Sequence, residues 1–277
     1  MGDGRACANA EIGATKLAEV RTPYLPENVW DFAPKGGEQA GEQSATCSSH
    51  LMKLLFAARL SRPDITVAIT RLASKVSSWN TSHDRAPKRL MQYVATKPDL
   101  RIHSTLSTED FADAQLVMSP DADLAGDLET AKSTTGMFLE LRSRDGARSW
   151  PLSWRSKRQG STATSTCEAE YISMSTSSRA EAIPMQIFLE SALGRRVDLV
   201  CLKDNTQCLG AVKSGYSAAL RSLPRTERIS LSETFMLTPG NEIRHQPTDT
   251  HKGDVFTKRM EPSKFESALE LLGLRCK

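Results

Sequence analysis

At 277 residues, of which 39% are hydrophobic, the chain is long enough for one or two packed cores, which excludes a disordered protein. Its formal net charge of +3 is modest, but the basic residues are uneven: 142–158, RSRDGARSWPLSWRSKR, sets Arg142, Arg144, Arg148, Arg155, Lys157 and Arg158 against Asp145, a local field suited to a polyanion. The six cysteines have no C-x-x-C spacing, no apolar run reaches membrane-spanning length and the N-terminus has no signal-peptide core, so the expectation is an intracellular protein with reduced thiols and no membrane partner.

Residues 1–48 are rich in Gly, Ala, Glu, Ser and Pro and have no apolar period, which predicts a disordered arm or linker. From His50 the pattern turns helical. HLMKLLFAARLSR is interrupted by Pro63, and DITVAITRLASKVSSW then places Ile65, Ile69, Leu72, Ala73 and Val76 on one face. A third helix from Ser82 carries Arg85, Lys88 and Arg89. These segments predict a small helical unit over 49–110, followed by a separate domain over 111–277.

In the second part, AQLVMSP is an apolar stretch that ends on Asp121. The seven residues that follow Pro120, DADLAGD, admit three readings: a metal ligand, a turn or a solvated acidic patch. A calcium loop of the EF-hand type is excluded, because its fifth and twelfth positions are Ala125 and Lys132. STTGMFLELRS and PLSWRSKRQ read as strands around the turn RDGA. Ser165 and Glu168 form a capping box at the head of a helix running toward Arg179, and Pro184 should end or kink it. MQIFLESAL closes at Gly194, and VDLVCLKDN is an apolar strand that stops on Asp204 and Asn205 before the helix TQCLGAVKS. Residues 216–239 are ambiguous, NEIRHQPT is a strand, and a second capping box at Ser263 and Glu266 heads the last helix. This order describes an α/β protein with helices on a mixed sheet.

Four carboxylates stand at the ends of these elements: Asp121, Glu170, Asp204 and Asp254. Strand ends and helix starts are where open α/β sheets place their sites. Glu168 is already accounted for by the capping box, which leaves Glu170 as the acid available for chemistry. His245 and His251 lie near the fourth acid and could assist proton transfer or product release, while a surface or structural role is the default reading for both.

The strings SPDADLAGDLETAKSTTGMFLEL, PLSWRSKRQGSTATSTCEAEYISMS, KDNTQCLGAVKSG and KGDVFTK resemble, in order and spacing, the ribonuclease H region of copia-type retrotransposon polyproteins. LLFAARLSRPDITVAITRLASKV is similar to the helical region that follows the polymerase palm in those chains, so the resemblance spans roughly 50–277. It implies a ribonuclease H-like mixed five-stranded sheet flanked by helices. It also implies that Asp121, Glu170, Asp204 and Asp254 hold two Mg2+ (or Mn2+) ions, because converging like charges require cations and hard oxygen ligands select such ions. The implied substrate is the RNA strand of an RNA:DNA hybrid. Arg155, Lys157, Arg158 and Asn205 are the expected nucleic-acid contacts, reverse transcriptase or another polyprotein product is a candidate partner, and no small-molecule cofactor is expected. Asp123 and Asp127 are left to shape the turn.

The chain also departs from the pattern. It contains no Asp-Asp pair, which the family's polymerase needs, so the expectation is a C-terminal fragment or remnant and not a complete reverse transcriptase. The family's Arg-Thr-Lys-His-Ile-Asp block appears as RTERIS from Arg225 to Ser230, Leu124 replaces a common Trp, and Pro120 precedes the first acid in a strand where proline is normally excluded. Two outcomes therefore stand side by side: an active metal-dependent nuclease, and a fold-retaining module without cleavage.

Overall fold

The computed structural model describes residues 11–12, 15–16, 19–25, 39–127 and 129–276. They fall into two compact units, a helical one drawn from residues up to His103 and from Arg259 onward, and a sheet unit from Ser104 to Lys258. Among the described residues no helix is long and apolar enough to cross a membrane.

The helical unit holds α1 (Cys47–Leu60), α2 (Thr66–Ala73), α3 (Arg85–Thr96) and a C-terminal helix, Pro262–Leu271. Pro63 opens a 3-10 turn that separates α1 from α2, as its missing N–H requires. The last helix starts at Pro262 with Glu261 as its cap, so the expected box at Ser263 does not form. Proline is preorganised for the first helical position, and Glu266 pairs with Arg21 at 2.6 Å instead of capping. Phe265 meets the rings of Tyr24 and Tyr93 edge-on, at 5.5 and 6.0 Å between centroids. Leu274–Cys276 pairs antiparallel with Leu100–Ile102. These contacts group 259–277 with the helices, whereas the sequence pattern placed that segment with the sheet. Much of the predicted disordered arm lies outside the described residues. Within it Val20, Thr22 and Tyr24 are buried, and Asp84 accepts hydrogen bonds from the amides of Glu42 (2.8 Å) and Gln43 (3.2 Å). A few apolar side chains anchor a stretch whose average composition hides them. Cys276 is disulfide-bonded, against the expectation of reduced thiols throughout.

The sheet unit is built on β1 (Gln115–Asp123), β2 (Thr134–Arg142), β3 (Ser149–Arg158), β4 (Leu199–Lys203) and β5 (Glu242–His245), in the spatial order β3-β2-β1-β4-β5. The first three strands form an antiparallel meander, and β4 and β5 join parallel. This is the ribonuclease H-like mixed sheet that the resemblance implied. Strands β1 and β4 are central, and their near-continuous apolar runs bury both faces. One face carries Leu116, Met118, Met137, Leu139 and Cys201, packed against α4 (Thr166–Ser177), α6 (Thr206–Ser214) and α7 (Arg225–Met236). The ambiguous segment 216–239 thus contains α7, whose first residues are RTERIS. Glu227 of that block accepts hydrogen bonds from Ser175 (2.7 Å) and Arg179 (3.2 Å), and the Arg228 carbonyl accepts one from Tyr171.

Pro184 neither ends nor sharply breaks its helix. The chain widens to a π-helical turn over Ser178–Ala182 and continues as α5 (Ile183–Leu193), with Pro184 in its first turn, where its lost donor matters least. On the opposite face of the sheet a 3-10 segment, Lys252–Phe256, lies across β1 and β2.

Candidate active site

Asp121 lies near the C-terminal end of β1, and Asp204 directly follows β4. Glu170 sits on α4, one turn before Ser173, whose hydroxyl donates to the Asp121 carbonyl at 2.6 Å and ties the helix to the strand. The start of α4 is secured by Ser165, which accepts from the Glu168 amide at 3.1 Å. Only half of the expected capping box forms there, since the Glu168 carboxylate takes Thr164 and Ser222 as its donors. Asp254 arrives from the 3-10 segment, and its approach depends on two glycines. A Cβ on Gly136 would lie 2.6 Å from Thr257 Cγ2, and one on Gly253 would lie 2.7 Å from the Ser119 carbonyl oxygen and 2.9 Å from Asp121 Cβ. The missing side chains let this segment press against the sheet.

Four acids far apart in sequence therefore meet around Asp121. Ligand atoms of Asp121, Glu170 and Asp204 lie within 4.8 Å of one another, and so do those of Asp121, His251 and Asp254. Thr257 donates to Asp121 Oδ2 at 2.7 Å, and Thr248 donates to Asp204 at 3.1 Å. As expected, Asp123 and Asp127 hold the turn: Asp123 accepts from the Thr134 amide, and Asp127 accepts from the Glu129 amide at 3.1 Å.

Two further residues stand at the site: Lys203, which the sequence did not single out, and His251, which it did. Lys203, the last residue of β4, is fully buried, and its ammonium stands among the acids. It contacts Glu170, donates to the Pro120 carbonyl at 2.8 Å, and lies 3.7 Å from Asp204 Oδ1 and 3.9 Å from Asp121 Oδ1. A lysine closing an apolar strand immediately before Asp204 was the available signal. The second is His251, also buried, with Nε2 3.1 Å from the Leu202 carbonyl and Nδ1 3.3 Å from Asp254 Oδ1. His245, by contrast, is exposed on β5.

Lys203 and His251 together complete a ladder that Pro120 cuts short. Pairing of β1 with β4 ends at Met118 and Cys201, and the Leu116 amide donates to the Asp198 carbonyl. In that register residue 120 would donate to Leu202 and accept from residue 204. Proline cannot donate, and His251 supplies the Leu202 carbonyl with a donor, while Lys203 takes the Pro120 carbonyl. Pro120 pairs with Met137 on its other side, where the odd-numbered residues of β1 carry the hydrogen bonds, so no bond to β2 is lost.

The electrostatics follow from this crowding. Burial pushes the Glu170 carboxyl up to about 8; Lys203 opposes the rise, and Asp121 and Asp204 add to it. Burial alone would lower Lys203, but Glu170 and Asp121 outweigh it and hold its pKa above the ordinary lysine value. Against burial, Lys203 and His251 keep Asp204 below the usual carboxylate range.

The two trios differ in how they suit a divalent ion. At Asp121–Glu170–Asp204 an ion would stand close to the Lys203 ammonium. At about 4 Å and an effective dielectric near 20, a double and a single positive charge repel by about 8 kcal/mol. By their ligand distances both trios could hold an ion, and the Lys203 charge is what sets this one apart. Asp121–His251–Asp254 could also hold one: Nε2 lies against a backbone carbonyl, an outer contact typical of metal-binding histidines, and Nδ1 is turned toward the carboxylates.

Several of the expected nucleic-acid contacts are engaged within the chain. Arg155 lies 3.7 Å from Glu181, Arg158 pairs with Asp127 at 2.7 Å, and Lys157 is exposed between them on β3. The Asn205 side-chain oxygen accepts from the Cys208 amide at 2.9 Å and caps α6. Arg85 and Lys88 are exposed on α3 of the helical unit, and Arg89 donates to the Thr22 carbonyl at 3.1 Å.

No protein-family model matches the chain. The Retrovirus-related Pol polyprotein from transposon RE1 of Arabidopsis thaliana is 34% identical over 221 residues, covering 77% of this chain and 14% of that protein. The corresponding polyprotein from transposon TNT 1-94 of Nicotiana tabacum is 28% identical over 232 residues, covering 82% of this chain and 16% of that protein. Among solved structures, LC11-RNase H1, isolated from compost by a metagenomic approach, is 16% identical with a TM-score of 0.37, covering 56% of this chain and 98% of that one. The chain spans a small part of its curated relatives, and it belongs to the Retrovirus-related Pol polyproteins of plant copia-like transposons.

Proposed function

We propose that the chain is a ribonuclease H-type hydrolase acting on the RNA strand of RNA:DNA hybrids, with the acids around Asp121 as its metal-dependent site. The observation that carries this reading is the convergence of Asp121, Glu170, Asp204 and Asp254 at the C-terminal ends of β1 and β4, from four separate elements. Asp121, His251 and Asp254 would hold a divalent ion, which when bound activates water and offsets charge on phosphoryl oxygens. Magnesium or manganese suits the oxygen ligands, and the imidazole favours manganese. Thr257 and Ser173 fix Asp121, and Thr248 fixes Asp204, so the carboxylates are oriented before substrate arrives.

Hybrid binding is assigned to Arg155, Lys157, Arg158 and Asn205. The Arg155–Glu181 and Arg158–Asp127 pairs are partly exposed, and such pairs contribute about 0–1 kcal/mol, so a phosphate can replace the carboxylate in either. The Asn205 oxygen is committed to its cap, which leaves the amide NH2 as the donor to substrate. Reverse transcriptase or another polyprotein product is the proposed partner, since the relatives are far longer than this chain. The second reading, a hybrid-binding module without cleavage, is favoured by the ammonium of Lys203 within the acids.

The test is a labelled hybrid incubated with the full chain and Mg2+ or Mn2+, beside Asp121→Asn. The expected result is RNA-strand cleavage that EDTA and the substitution both abolish, with hybrid binding retained. Cleavage that survives both treatments overturns the reading, and binding without cleavage selects the second.

A further inference from the structure

We propose that Lys203 is a built-in cation of the acidic cluster, which holds the Asp121–Glu170–Asp204 position against a divalent ion and leaves one exchangeable ion at Asp121–His251–Asp254. The inference shares its site with the metal-dependent reading above and rests on it, but it concerns charge bookkeeping that can be measured without substrate.

Three observations carry it. The Lys203 side chain is 0% exposed, so its ammonium has no route to water and must be answered by the groups around it. Those groups match its donor geometry: an ammonium has three N–H donors, and here the Pro120 carbonyl and Glu170 take two while Asp204 and Asp121 flank the third. The Pro120 carbonyl belongs to the strand end next to Asp121, so Lys203 is anchored to backbone as well as to carboxylates. A side chain so held does not swing aside as a surface lysine would.

The other trio lies on the far side of Asp121, against the 3-10 segment. His251 Nε2 is committed to the Leu202 carbonyl, which aims Nδ1 at Asp254 Oδ1, and Asp121 completes the set. One imidazole nitrogen and two carboxylates form a mixed N/O donor set that prefers manganese over magnesium. Asp121 thus serves two cations, one covalently part of the chain and one exchangeable.

The experiment is a Mn2+ titration of the full chain, read by electron paramagnetic resonance and calorimetry, beside Lys203→Ser and His251→Ala. The expected stoichiometry is one ion for the wild type, two for Lys203→Ser and none for His251→Ala at the same concentrations. Melting temperatures supply a second measurement. Lys203→Ser should melt well below the wild type without metal and regain more of its loss in saturating Mn2+ than the wild type gains, because an ion bound only by the folded state stabilises it by mass action. Two ions on the wild type, or none, overturns the inference even where a variant does not fold. An unchanged stoichiometry in a folded Lys203→Ser also overturns it. The one-to-two change with no hybrid cleavage by either protein supports the inference and refutes the nuclease reading alone.

Discussion

Gly253 is the residue on which the meeting of Asp254 with Asp121 depends, and Gly253→Ala tests that dependence. A Cβ there would stand 2.7 Å from the Ser119 carbonyl oxygen, 2.8 Å from His251 Cε1 and 2.9 Å from Asp121 Cβ. Two of these neighbours belong to β1 at the centre of the sheet, and the third is a buried ring bonded to Leu202, so none is the free end of a flexible side chain. The 3-10 segment must lift by several tenths of an ångström, and overpacking of this kind costs about 1–3 kcal/mol. For a chain of this size that is about 2–4 °C of melting temperature per kcal/mol. Activity is more sensitive, since a displacement of about 1 Å in a positioned group costs roughly a hundredfold in rate. The assay is thermal unfolding together with hybrid cleavage, and Gly160→Ala is the control because nothing lies within 4 Å of its added methyl. If Gly253→Ala melts and cleaves like Gly160→Ala, close approach of the segment does not position Asp254 and the reasoning fails.

Pro120→Ser should change the melting temperature little, because the donor it restores finds the Leu202 carbonyl already served by His251; a gain of several degrees would show that the cut ladder is a true defect. Glu140 is buried between Lys252, at 2.7 Å, and Arg142, which against burial hold its carboxyl below the usual range. Its pKa is lower folded than unfolded, so below about pH 4.5 the unfolded chain takes up more protons and stability falls through that acid window. Glu140→Gln should cost about 3–5 kcal/mol near neutral pH, by leaving two cations without their carboxylate, and should flatten the acid limb of stability against pH. A urea midpoint for Glu140→Gln equal to that of wild type at pH 7 would contradict this.

Much of this protein is determined locally. The apolar runs of β1 and β4, the Asp-Gly turn region between β2 and β3, the Ser165 cap and the helix stop at Gly194 can all be read from neighbouring residues, because propensity, capping and continuous apolar runs act over a few positions. The four acids could be picked out too, since each was expected at or near the end of such an element. The tertiary structure alone decided what surrounds them. Lys203 looks like a strand-end lysine until β4 places it beside Glu170 of α4, and His251 looks like a surface residue until the 3-10 segment folds it under Asp121. Pro120 reads as damage until the β1–β4 pairing is seen to end two residues before it. The same holds for 259–277, whose pattern says helix but not which unit it packs with. Each of these is a contact between residues distant in sequence, and such contacts are set by the packing of whole elements, which no local pattern encodes.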